Sequence, residues 1–160
     1  MKPKFQFLEK KKFVGMSRHM SVAQDTTYDL FSSFMPRSKE IPNRLNSWIY
    51  DLRIYPQEYF TKFNPKAKFN KYALVEVGTP VHIPECMEEF TLEGGNYAVF
   101  TPRDGTAGFK VFEYIFTKWL PGSGYLLEPR PHFEKLQGDT HKNDTNKSEL
   151  IFIPVSAKRL

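Results

Sequence analysis

The sequence predicts an α+β fold: duplicated β-α-β-β units about a pseudo-two-fold, their strands joined in one antiparallel sheet, two helices packed on one face, and a central ligand cleft. Three observations lead there. The same order of periodic segments (strand, helix, strand, strand) occurs twice along the chain, although no residue-by-residue repeat accompanies it. The 160 residues suit one substantial core rather than two ordinary domains, so the units, about 4–79 and 87–156, are expected to share a single domain spanning 1–160. The aromatic content of 16%, with 15 Phe and 8 Tyr, is high for this size and implies a bulky core or a lined pocket.

Each element has its own signal. "FQFLEKKKFVGMSR", residues 5–18, alternates like a strand pair or one bent strand, with Gly15 as a candidate bulge. A helix is predicted over 25–35, with Asp25 as N-cap, Leu30, Phe31 and Phe34 as its apolar stripe, and Pro36 near its end. "SWIYDLRIYP", residues 47–56, reads as a strand with Trp48, Tyr50, Leu52 and Ile54 on one face, stopped by Pro56. A connection over 56–68 leads to the strand "FNKYALVEVG", residues 69–78.

The second unit opens with "EEFTLEGGNYAVFTP", a strand broken at Gly94 and Gly95. In "TAGFKVFEYIFTKWL" Phe109, Val111, Phe112, Ile115, Phe116, Trp119 and Leu120 cluster on one side at 100° per residue, which makes a helix ended by Pro121 and Gly122. "YLLEPRPHFEKL" and "SELIFIPV" supply two strands, with a polar surface loop over 137–148 between them.

Composition narrows the function classes. The excess of 23 basic over 18 acidic residues comes mostly from Lys2, Lys4, Lys10, Lys11 and Lys12, which reads as a solvated strand edge or turn. No helix-turn-helix spacing, zinc-finger ligand set or RNP-like strand accompanies it, so direct DNA binding is not expected. The single Cys86 excludes an internal disulfide, and the four histidines lack metal-ligand pairing, so neither a metal nor a cofactor is expected. The N-terminus lacks an apolar leader and no run of about 18 apolar residues occurs, which points to a cytoplasmic protein without a membrane span. "DGTAGFK" lacks phosphate-loop spacing, and no hydrolase triad or activated thiol has sequence support.

Candidate ligand-binding residues are Glu134, Trp119, Tyr72, Tyr50 and Trp48. Glu134 follows Phe133 in an apolar strand, and two readings stand side by side. Strand alternation can point it to solvent, or it is a partly buried anion on the floor of an aromatic pocket, completed by a bound cation. In the second case nearby rings would add about 0.5–2 kcal/mol each by cation–π attraction. The two tryptophans can equally be core, and Tyr50, Tyr72 and Tyr97 carry hydroxyls that need partners if buried.

"YIFTKWLPGSGYLLEPRPHFEKL" followed by "ELIFIPV" resembles the GyrI-like small-molecule-binding domain, the effector-binding domain of many AraC- and MerR-type bacterial transcription regulators. "LFSSFMPRSKEIPNR", "FNKYALVEV" and "IPECMEEFTLEGGNYAVF" agree in order, so the resemblance covers nearly the whole chain. It implies the same duplicated fold, with a cleft for small hydrophobic, often cationic or drug-like molecules. It also implies that Glu134 belongs to that cleft and that Trp119 and Tyr72 lie near it; Trp48 and Tyr50 rest on the strand-face reading alone. The family's regulators carry a DNA-binding domain that this sequence lacks, which implies a stand-alone binder acting in transcription regulation or drug sensing. Two alternatives come with the family: a hydrolase of reactive small molecules using Glu134 as general base, and a gyrase-inhibitor-like module with a protein partner. For the latter the acidic stretch Glu85, Glu88, Glu89 and Glu93 is the candidate patch.

Overall fold

The structure, a computed structural model, describes residues 1–79, 82–102, 108–137 and 149–158. The expected loop beyond Gln137 and most of "DGTAGFK" lie outside the described residues. The first unit comprises β1 (Lys4–Leu8), β2 (Lys11–Ser21), α1 (Thr27–Phe34), β3 (Trp48–Ile54) and β4 (Lys68–Val77). The second comprises β5 (Glu88–Leu92), β6 (Gly95–Phe100), α2 (Gly108–Tyr114), β7 (Tyr125–Leu127), β8 (His132–Gln137) and β9 (Glu149–Ala157). Beyond α2 the chain continues helically through a π-helical stretch, Ile115–Trp119, and a last turn, Leu120–Gly122.

The nine strands form one antiparallel sheet in the order β1-β6-β9-β8-β3-β4-β2-β5, with β7 added on β9. Each unit lays its strands first, third, second (β2-β4-β3 and β6-β9-β8), and the units meet where β8 pairs with β3. That mirrored order is the expected duplication about a pseudo-two-fold. Only Glu9 and Lys10 separate β1 from β2, and only Glu93 and Gly94 separate β5 from β6. The ladders Lys4↔Val99 to Leu8↔Gly95 and Lys11↔Leu92 to Gly15↔Glu88 therefore follow one register, and the sheet curls until its two ends share it.

Two details differ from the sequence expectation. Gly15 is not a bulge: it sits in regular pairing with Leu74 on one side and Glu88 on the other. Glycine is required because a Cβ there would lie 1.9 Å from the Ala73 carbonyl oxygen. The segment "YLLEPRPHFEKL" forms two strands rather than one, because Pro129 and Pro131 cannot donate to a ladder. The break at Gly94 and Gly95 is where expected, with φ of +89° and +130° that only glycine adopts cheaply.

Alternation sorts the side chains onto the two faces. Inside the curl lie Phe13, Tyr50, Leu52, Leu74, Leu92, Tyr97, Phe133 and Phe152, with Phe133 stacked on Phe152 at 4.4 Å. On the outer face α1 buries Leu30 and Phe34 against Val14, Met20, Ala73 and Val75, while α2 and its extension bury Val111 and Ile115 against Ala98, Phe100, Ile151 and Ile153. Burying each such aliphatic or aromatic side chain contributes about 1.5–3 kcal/mol. The central strand β3 is covered on both faces, which is why its pattern reads as almost continuous burial.

The candidate functional site

Register decides what lies between the helices. Ala73, Asp51, Glu134 and Ile151 form one row across β4, β3, β8 and β9. The outer members of that row belong to the helix-covered clusters, so Asp51 and Glu134 face the gap between α1 and α2. They are also direct partners at the junction of the two units, and each follows an aromatic residue, Tyr50 or Phe133, that points into the curl. The alternation that turns Phe133 inward thus turns Glu134 outward, yet the outer face here is not open to solvent: Glu134 is 7% exposed.

Burial of two carboxylates is costly unless they are paired. Arg53, two residues along the same face as Asp51, supplies the pairing: its Nη2 donates to Glu134 Oε1 at 2.5 Å and its Nε to Asp51 Oδ1 at 3.3 Å. Lys71 of β4 donates from Nζ to Asp51 Oδ2 at 3.4 Å and to Thr27 Oγ1 at 2.9 Å, which ties the network to the start of α1. The N-cap of α1 is Thr26, without a side-chain cap bond, rather than the expected Asp25; the Asp25 carboxylate instead accepts from the Thr27 backbone N–H at 2.8 Å, two residues on. Burial would lower the Arg53 pKa, but the facing Glu134 and Asp51 charges hold it well above the ordinary arginine value.

Rings enclose this network. The Arg53 guanidinium lies 4.8 Å from the centre of the Phe112 ring. Phe60, from the connection between β3 and β4, stacks on Phe116 at 4.7 Å and on the His132 ring at 5.3 Å. Tyr55 meets His132 edge-on at 4.9 Å and contacts Phe60 and Phe69. His132 pairs with Arg53 in the sheet, and burial together with the Arg53 charge pushes its pKa down to about 3. It is therefore a neutral, flat ring on the groove floor at physiological pH.

The five residues expected to bind ligand do not lie together. Glu134 occupies the groove. Trp48, Tyr50 and Tyr72 are on the opposite face of the sheet: the Lys135 ammonium sits 4.9 Å from the Trp48 ring centre and 5.6 Å from that of Tyr50, and Tyr72 packs against Phe90 at 4.9 Å. The Tyr50 hydroxyl donates to Glu76 Oε1 at 3.1 Å, where Lys11 Nζ also lies 3.2 Å from Glu76 Oε2. Trp119 lies at the far end of the second helix, edge-on to Phe100 at 5.0 Å and near Phe5 and Tyr125. The acidic residues Glu85, Glu88, Glu89 and Glu93 are all exposed on the surface.

Sequence reasoning missed Asp51, Arg53, Lys71, His132, Phe60, Phe112 and Phe116. A signal existed: Asp51 and Arg53, like His132 and Glu134, are ionisable pairs two residues apart within otherwise apolar strands, so each pair shares one face.

A family model described as the GyrI-like small molecule binding domain matches residues 1–156. Among solved structures, a putative bacterial transcription regulation protein from Staphylococcus aureus MU50 superposes with a TM-score of 0.69 at 18% identity, covering 98% of this chain and 99% of that one. A structure of SAV2435 bound to tetraphenylphosphonium gives a TM-score of 0.70 at 17% identity, covering 98% and 94%. The C-terminal domain of EcmrR gives 0.68 at 10% identity, covering 96% of each chain. At these identities the structures show a common fold. No curated protein sequence matches the chain. No helix among the described residues is long and apolar enough to cross a membrane.

Proposed function

The chain belongs to the GyrI-like small-molecule-binding domain family, and from that premise we propose that it captures a small, hydrophobic, aromatic molecule in the groove between its two helices. The observation that carries this reading is the coincidence, at the junction of the two units, of a buried ionic network with a ring cluster drawn from three separate segments. Those are β8, the β3–β4 connection and the second helix, in His132, Phe60 and Phe116. Flat rings with few rotatable bonds provide large contact area at low entropic cost, and a few fixed polar groups beside them set orientation.

The likeness to a transcription regulation protein and to the EcmrR C-terminal domain supports a sensing role, in which the bound molecule is the signal. The tetraphenylphosphonium held by SAV2435 shows the kind of molecule that one protein of this fold accommodates: bulky, aromatic and charged. A thermal-shift screen of lipophilic aromatic compounds, repeated with Phe116→Asp, tests the location. Compounds that stabilise the wild type should lose their effect in the variant, because a carboxylate would stand where a ring now stacks. Equal shifts in both proteins would contradict the groove as the site. A ligand present at a hundredfold excess over its Kd stabilises the folded state by about 2.7 kcal/mol, well within reach of the assay.

A further inference from the structure

We propose that His132 is the polar recognition point of this groove: its ring nitrogens, without a partner among the described residues, are read by a hydroxyl on the bound molecule, so the site selects flat aromatic compounds that carry a hydroxyl, such as phenols, over the same ring systems without one. The proposal deepens the groove reading and rests on it.

A buried side chain ordinarily spends its polar atoms on internal hydrogen bonds. His132 is only 4% exposed, yet neither ring nitrogen hydrogen-bonds to a described residue. Its contacts are made by the ring as a ring: Phe60 stacks on it at 5.3 Å, Tyr55 meets it edge-on at 4.9 Å and Phe116 lies at 6.0 Å. The ionic groups nearby are engaged with one another, Arg53 with Glu134 and Asp51, and Lys71 with Asp51 and Thr27. No side-chain nitrogen or oxygen among the described residues is both fully buried and without a partner. The slight exposure that His132 retains therefore lies at its nitrogens, which open onto the groove where a ligand's polar atom can reach them.

The state of the ring sets the chemistry of the ligand. Burial and the Arg53 charge hold the imidazole neutral, with a pKa of about 3, so at physiological pH it carries one N–H donor and one bare acceptor nitrogen. A group that only donates answers one of them, and a group that only accepts answers the other. A hydroxyl, donor and acceptor at once, answers whichever nitrogen it meets. A ring system without such a group would cover the nitrogens, strip their water and return no hydrogen bond. Sites that hydrogen-bond a ligand hydroxyl discriminate strongly against the analogue lacking it, for this reason. The rings of Phe60 and Phe116 favour both compounds alike, so the difference between them falls to His132.

2-Naphthol and naphthalene differ by the hydroxyl alone and are both uncharged at neutral pH. Their affinities would be measured by isothermal titration for the wild type, His132→Phe and Phe116→Ala. The wild type should bind 2-naphthol at least about tenfold more tightly than naphthalene. His132→Phe, which keeps a flat ring for Phe60 and removes both nitrogens, should bind naphthalene within about threefold of the wild type and show no preference for the naphthol. Phe116→Ala should weaken both probes. A smaller preference in the wild type would overturn the assignment, and that comparison decides the matter even if His132→Phe does not fold. A preference that survives in His132→Phe, with both probes weakened by Phe116→Ala, would sink the role of His132 and leave the groove standing. Indifference of both probes to Phe116→Ala, or binding of neither, would remove the groove reading and the inference with it.

Discussion

Lowering the pH from 7 to 5 should destabilise the folded protein by about 2 kcal/mol through His132 alone. Its folded pKa, about 3, lies below the ordinary histidine value of 6.5 because burial and Arg53 oppose the charged ring. Above 6.5 both folded and unfolded chains hold a neutral imidazole there, and the group contributes no pH dependence. As pH falls through 6.5 the unfolded chain takes up a proton that the folded chain refuses, so stability declines and continues to decline until about pH 3. Over the 1.5 pH units from 6.5 to 5 this amounts to about 2 kcal/mol, at about 1.4 kcal/mol per unit. For a chain of this length that corresponds to a fall in Tm of about 4–8 °C. The perturbed carboxyls, Asp25 and Glu40, are shifted downward from 3.8 and 4.5, so their contributions are lost only below this window. Urea unfolding at pH 7 and pH 5, followed by tryptophan fluorescence, reads the difference; Trp48 and Trp119 pack in different clusters, so a single shared transition also tests two-state behaviour. His132→Phe, which keeps a ring for Phe60 to stack on, should abolish most of the pH effect. An equal loss of stability in His132→Phe, or no loss in the wild type, would refute a buried neutral histidine at this position.

Three further outcomes follow from the same geometry. Glu134→Ala leaves the buried Arg53 guanidinium with one of its two ion-pair partners among the described residues, Asp51, and should cost about 3–5 kcal/mol in urea unfolding, with Glu134→Gln milder because it retains an acceptor. Gly15→Ala forces a methyl group onto the Ala73 carbonyl oxygen across the β2–β4 ladder and should destabilise by about 1–3 kcal/mol or more, seen as a lower thermal midpoint by circular dichroism. Phe60→Ala removes the ring that packs against both Phe116 and His132; it should weaken any groove ligand markedly in titration calorimetry, whereas Tyr72→Ala, on the other face, should leave affinity within about twofold.

The fold was largely legible because its signals are local. Alternation in β3, the apolar stripe of α1 and the clustering around Val111 and Ile115 each depend only on neighbours within a few residues. Splitting β7 from β8 was also legible in principle, since Pro129 and Pro131 both stand in the segment. What local pattern could not supply was pairing. Glu134 meets Arg53 across 81 positions of sequence, and Lys71 reaches Asp51 across 20, so the partners that make the buried carboxylates tolerable are visible only once register is fixed. The same gap explains why the sequence alone groups Trp48, Tyr50 and Tyr72 with Glu134: each is aromatic and strand-borne, but odd and even positions of β3 and β4 serve opposite faces. A one-residue difference in phase separates the interior of the curl from the groove.

The site between the helices is tested most directly by following backbone amides and the Trp48 indole in a two-dimensional NMR titration with an aromatic compound that stabilises the wild type in the thermal-shift screen. The groove predicts that shifts concentrate at Arg53, Tyr55, Phe60, Phe112, Phe116, His132 and Glu134, while the Trp48 indole and the amides of Tyr72 and Phe90 stay in place. The largest shifts at Trp48, Tyr72 and Phe90, with the groove amides unmoved, would contradict it and put the ligand on the other face of the sheet.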